Sequence, residues 1–208
     1  MQQVHPIIDQ HKYYMKNFLK KIIIKKQITA LLIALLFTFG VSAQTYITRN
    51  GRVTFFSKAP VENIEAVNNE VTSFLDTKKG EVAFVALIKS FKFKKALMEE
   101  HFNENYMESN TFPKANFKGT ITDLSKVNFS ADGTYLVTVK GDLTIHGVTK
   151  NIEALATVIV SGGTISAGSK FNIKVKEYNI KIPSTVVNNI AETIALTVDC
   201  KYEPFKKG

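Results

Sequence analysis

Four stretches in the second half of the chain alternate apolar and polar residues with a period of two, and this pattern limits the fold more than any other feature. Tyr135, Val137, Val139, Gly141, Leu143 and Ile145 share one parity. Ile152, Ala154, Ala156, Val158 and Val160 form a second set, Ile165, Ala167, Phe171, Ile173 and Val175 a third, and Ile194, Leu196, Val198, Cys200 and Tyr202 a fourth. Successive side chains of an extended strand point to opposite faces, so each set lies on one face of its strand. The other parity carries Thr138, Lys140, Asp142, Thr144, Lys174, Lys176, Thr197, Asp199 and Lys201, which belong in water. Such strands make an antiparallel sheet with one buried face. Turn signals at Lys79-Gly80, Asp132-Gly133, His146-Gly147 and Gly162-Gly163 separate further runs rich in β-branched and aromatic residues, which implies a sandwich or a barrel. Asn50-Gly51, between "TYITR" and "RVTFFS", predicts an opening hairpin with a type I′ turn.

One segment breaks the pattern. Phe93, Ala96, Leu97 and Phe102 recur at helical spacing among good helix formers, which predicts one short helix within residues 94–107. The strand before it, "EVAFVALIKSF", is apolar on both parities between Val82 and Ile88 and needs cover on both sides. The helix can supply that cover by capping a barrel end or by lying on the outer wall. The next strand, "ANFKGTITDL", begins after Pro113.

The N-terminus reads differently. Lys16, Lys20, Lys21, Lys25 and Lys26 precede the uncharged run "ITALLIALLFTFGV" at residues 28–41, and Val41-Ser42-Ala43 ends it. A basic region, an apolar stretch and small residues before a cut are the parts of a secretory signal peptide, here cleaved after Ala43. Residues 28–43 fall short of the 18 or so apolar residues that a spanning helix needs. No cysteine follows the apolar run, so the lipid-modified kind of signal does not apply. Met15 begins a well-formed signal by itself and is an alternative start to Met1. The expected organisation is therefore an extension and signal over 1–43 and one domain over 44–208, delivered to the periplasm. The formal charge of +9 falls to +4 beyond residue 43, where 21 basic residues are interleaved with 17 acidic ones. That excess is too small and too dispersed for a nucleic-acid surface, so no nucleic-acid partner is expected. Cys200 is the single cysteine, which excludes an intrachain disulfide and reads as a small core residue facing inward.

Signals of catalysis are missing. His5 and His11 precede the apolar run, leaving His101 and His146 for the mature chain, neither within an H-E-x-x-H pair. "GTISAG" at residues 163–168 has the wrong spacing for a nucleophile elbow and reads as a hairpin. Glu99, Glu100, Glu104 and Glu108 read as the solvated face of the helix. No Gly-rich phosphate loop occurs, and no catalytic residue, metal or cofactor is expected.

The stretches "LMEEHFNENYMESNTFPKANFKG" at residues 97–119 and "GDLTIHGVTKNI" at residues 141–152 closely resemble the YceI-like family of exported bacterial proteins. Phe102, Phe112, Pro113, Phe117, Leu143, Thr144, Gly147, Val148, Thr149 and Lys150 carry the resemblance, which spans about residues 46–202 and looks like the shorter, Bacteroidetes kind. It implies an all-β, eight-stranded antiparallel lipocalin-like barrel with one short α-helix. It also implies an apolar interior that in some members holds a polyisoprenoid or a quinone with a similar tail; a non-catalytic protein holding a lipid, polyisoprenoid or quinone-like ligand, with transient membrane contact, is expected here. A barrel of about eight strands either fills with its own side chains or holds one slender ligand, so a filled structural or interaction module of the cell envelope stays open beside the ligand-binding reading. Parity names the expected lining: Phe84, Phe117, Tyr135, Val137, Val139, Leu143, Phe171, Ile173, Leu196 and Val198. His146 and Lys150 read as hairpin residues. The chain departs from the family pattern at "VKEYNI", residues 175–180, where relatives have R-x-D-F-G-I. Val175 in place of arginine removes a phosphate-binding donor and favours a neutral ligand, while Asn179 in place of glycine keeps a residue tolerant of left-handed backbone. The N-terminal block of relatives is replaced by "IEAVNNEVTSFLDTKKG", which rebuilds one lip of the cavity.

Overall fold

The computed structural model describes residues 45–205, and the signal segment assigned above lies outside the described residues. Strands β1 (Thr45–Lys58), β2 (Asn63–Asp76), β3 (Glu81–Leu87), β5 (Lys114–Ile121), β6 (Gly133–Ile145), β7 (Val148–Ser161), β8 (Thr164–Lys174) and β9 (Thr193–Pro204) form one antiparallel sheet. A two-residue strand β4 (Lys92–Phe93) adds to the edge of β2. Because β1 pairs with both β2 and β9, the sheet closes on itself as an eight-stranded lipocalin-like barrel and leaves no long free edge. Among the described residues one short α-helix, α1 (Ala96–His101), runs into a wider π-helical turn, Phe102–Tyr106.

Two hairpins follow the sequence reading. His146-Gly147 joins β6 to β7 and Gly162-Gly163 joins β7 to β8, all four residues at positive φ as a type I′ turn requires. Asn50-Gly51 departs from it. This dipeptide lies inside β1, where the register against β2 slips between Thr48 and Val53, and it makes a bulge instead of a turn. A Cβ on Gly51 would stand 3.0 Å from Cys200 Sγ and from the Val71 carbonyl, so glycine here serves close approach of strands rather than positive φ. Asp132-Gly133 likewise marks the start of β6 after a loop, not a tight hairpin. A second glycine contact joins β5 to β6. Gly119 faces Gly141 across the ladder, and a Cβ on Gly141 would overlap the Lys118 carbonyl oxygen.

The lower end of the barrel is closed. Tyr46, Leu75, Val82, Ile121, Val158, Val160, Ile165 and Tyr202 form its core, plugged by Leu124, Val127 and Phe129 from the loop between β5 and β6. Tyr202 and Ser73 share a buried hydroxyl–hydroxyl hydrogen bond of 2.8 Å. Cys200 is buried in the same cluster, and burial pushes its thiol up to about 12. At the upper end Ile88, Met107, Phe117, Leu143, Ile145 and Tyr178 form a second core beneath the segments that follow β3 and β8.

Candidate functional site

Between the two cores the barrel is hollow. Val139, Ile152, Ala154, Phe171, Ile173, Leu196 and Val198 face inward yet are only partly buried, because they border an open bore instead of one another. The cavity is about 400 Å³ and almost wholly apolar. On β6 its lining runs from Val137 to Ile145, eight residue steps or roughly 26 Å of strand, so the volume is long and thin. The shape suits one extended hydrocarbon tail better than a compact molecule.

Nine of the ten residues expected at the lining border this space: Phe84, Phe117, Val137, Val139, Leu143, Phe171, Ile173, Leu196 and Val198. Tyr135 does not. It packs against the lower core, with its hydroxyl donating to the Ala131 carbonyl at 3.1 Å, because β6 begins only two residues earlier at the closed end. Further lining comes from strands whose alternation is weaker in sequence, including Val53 and Phe55 on β1 and Ile64, Val71 and Leu75 on β2.

The mouth lies at the upper end. Phe55, Phe91, Phe93 and Phe102 cluster there with ring centroids 5.0–5.8 Å apart, pinning α1 against β1 and β4. Lys92 Nζ donates to Glu99 Oε1 at 2.7 Å, and this bond, with the Phe93 N–H, holds the Glu99 carboxyl below its ordinary value against some desolvation. Lys95 Nζ meets Glu62 Oε1 at 2.6 Å, joining the start of α1 to the β1–β2 loop. The segment after β8 closes the ring: Val61 N–H donates to the Asn188 carbonyl and Ala191 N–H to Ser57 Oγ. The helix thus caps a barrel end, the first of the two placements expected for it. Glu108 lies beyond the helix with φ of 44°, so it is not part of a helical face.

His146 is more than a turn residue. Its ring is buried, with Nδ1 3.2 Å from the Tyr178 carbonyl oxygen, Nε2 3.4 Å from Glu108 Oε1, and the Phe112 ring tilted against it at a centroid distance of 4.4 Å. The β7–β8 ladder stops at Ala156 and Ser169, leaving a seam above it. Tyr178, from the turn Val175–Tyr178, is buried among the residues that fill the upper end, and His146 holds its backbone. Asn179 ends that turn in the left-handed conformation, as its tolerance suggested, and Val175 contributes an apolar wall to the cavity.

Few titratable groups border the cavity. Glu62, His101 and Tyr106 sit near the mouth, and Tyr202 lies deep, its hydroxyl pushed above the usual tyrosine range by burial. Among the described residues no three His, Cys, Asp or Glu side chains gather as a metal site.

The YceI-like domain profile matches residues 40–202. Among solved structures, a polyisoprenoid-binding domain from Saccharophagus degradans, implicated in plant cell wall breakdown, superposes with a TM-score of 0.68 at 16% identity, covering 78% of this chain and 99% of that one. Burkholderia cenocepacia BcnA gives 0.61 at 18% identity, with 74% and 96% covered. A Campylobacter jejuni YCEI protein gives 0.54 at 14% identity, with 71% and 88% covered. Curated protein sequences yield no significant match.

Proposed function

The chain belongs to the YceI-like family, and from that membership and its hollow interior we propose that it is an exported, non-catalytic barrel that carries one apolar tail in its bore. The observation that carries this reading is the set of inward apolar side chains left partly open along the 400 Å³ cavity. A filled barrel would bury them fully, which speaks against the structural-module alternative. The ligand class is a lipid, a polyisoprenoid or a quinone with a similar tail, in keeping with the polyisoprenoid-binding name of the Saccharophagus relative. The nine lining residues contact the tail, and selectivity comes from bore width and from the few polar groups at the mouth. Val175 at the arginine position favours an uncharged headgroup. Export rests on the basic and apolar order of residues 16–43.

The energetics favour a carrier. Each methylene withdrawn from water is worth about 0.8 kcal/mol, but the tail's alternative home is a bilayer as apolar as the bore, so exchange between the two is close to neutral. Such a protein shields its cargo in transit without needing a chemical step. In solution, a fluorescent apolar-chain probe should bind saturably at one per barrel and be displaced by polyisoprenol or quinone. Absence of saturable binding would sink the proposal.

A further inference from the structure

We propose that the rim of the mouth is a membrane-docking face that seats on a zwitterionic phospholipid surface, so that cargo passes between bilayer and bore without crossing water. The inference rests on reading the bore as a tail-binding cavity. Three segments make the rim: the β1–β2 loop, α1, and the loop around Ser184–Val186. Each raises one large apolar side chain into solvent, Val61 at 66% exposure, Leu97 at 60% and Val187 at 47%. Each of these is the immediate chain neighbour of a residue that lines the cavity: Glu62, Met98 and Val186. The three segments are tied together by the Val61 N–H to Asn188 carbonyl bond at 3.2 Å and the Lys95–Glu62 ion pair at 2.6 Å. The apolar tips therefore stand beside the cavity on segments joined to one another, not scattered over the surface. Apolar side chains raised around the door of a lipid cavity would enter the headgroup boundary together.

The charges identify the kind of surface. Residues 58–62, 92–101 and 180–192 hold five lysines and four glutamates, with no block of one sign. Lys92 and Lys95 are paired with Glu99 and Glu62, so the rim turns little net charge outward, which matches the zwitterionic surface of phosphatidylethanolamine or phosphatidylcholine. A polybasic patch, as used for anionic lipids, is not what the rim presents.

The barrel carries its own control. Leu136, Leu155 and Ile159 are exposed on the outer wall of β6 and β7, equally apolar but remote from the mouth. Protein in the form its host processes is floated with vesicles of phosphatidylethanolamine and phosphatidylcholine. The triple variant Val61→Asp, Leu97→Asp, Val187→Asp should partition at least tenfold less than the parent, while Leu136→Asp with Leu155→Asp leaves partitioning unchanged. Raising salt from about 0.1 to 1 M should change parental binding less than about threefold, because screening reaches charges and not apolar insertion. In parallel, binding of a fluorescent polyprenyl probe added directly to protein in solution should be the same in the rim variant and the parent, and pickup of that probe from vesicles should slow at least tenfold. Parental protein that ignores vesicles, partitioning that follows the wall variant instead of the rim variant, or binding confined to anionic vesicles and abolished by salt would each overturn the docking face. Loss of probe binding in solution by the parent would instead overturn the cavity reading on which it rests.

Discussion

Replacing Ala154 by phenylalanine separates a hollow barrel from a filled one by the sign of its effect. Ala154 points into the bore from β7, opposite Val139 on β6, and is only partly buried. In a packed core the added ring would overfill the site and cost about 1–3 kcal/mol. In the bore it meets open space. The ring brings roughly 100 Å² of new apolar surface into contact with Val139 and its neighbours, worth up to about 2.5 kcal/mol, less about 1 kcal/mol of side-chain entropy. The expected result is a gain of about 1–2 kcal/mol, or about 0.5–1 M in the urea midpoint at a slope near 2 kcal/mol per M. The same ring obstructs the tail path, so probe affinity should fall at least tenfold as stability rises. A midpoint lowered by more than about 0.5 M would refute the claim that this part of the interior is empty.

Leu143→Lys places an ammonium within the upper core beside Phe117, its cross-strand partner, and should prevent folding, read as loss of the far-ultraviolet strand signal. Phe171→Asp puts a carboxylate in the wall of the bore and should abolish ligand binding and folding alike; soluble, ligand-bound protein from either variant would show the facing to be wrong. Gly141→Ala drives a methyl into the Lys118 carbonyl and should cost more than about 2 kcal/mol by urea titration, whereas a neutral result would contradict the close strand approach. Alkaline stability follows from Cys200, whose thiol rises from 9.0 to about 12 on burial. Below pH 9 both folded and unfolded thiols stay protonated and contribute nothing to the pH dependence. Between about pH 9 and 12 the unfolded chain loses the thiol proton first, so Cys200 should lower stability by up to about 1.4 kcal/mol per pH unit, and Cys200→Ala should make the slope shallower while buried Tyr202 keeps a share of it.

Much of the barrel could be read from parity alone, because a half-buried strand repeats its environment every second residue. Val137, Val139, Leu143 and Leu196 were placed by that rule, and α1 by the change to helical spacing around Ala96 and Leu97. The rule ran out where the environment changes along a strand. Tyr135 has the right parity but stands where the barrel has already closed over a plug from residues 124–129, which no periodicity signals. Asn50-Gly51 failed for a different reason: an Asn-Gly pair suits both a type I′ turn and a bulge, and only the continuous pairing of β1 with β2 and β9 decides between them. The part played by His146 depends on Glu108, Phe112 and Tyr178, each more than thirty residues away in the chain. Residues of the mouth, such as Glu62, His101 and Val186, come from a loop, a helix end and a 3-10 turn that meet only in three dimensions.

Native mass spectrometry of the host-processed protein, followed by solvent extraction of what it releases, shows whether the bore holds a tail. A tail-carrying barrel should show one apolar adduct per chain, with an extractable isoprenoid, quinone or lipid tail whose headgroup carries no net charge. Protein that is folded and bare, and remains bare after incubation with polyisoprenols, quinones and phospholipids, would contradict it.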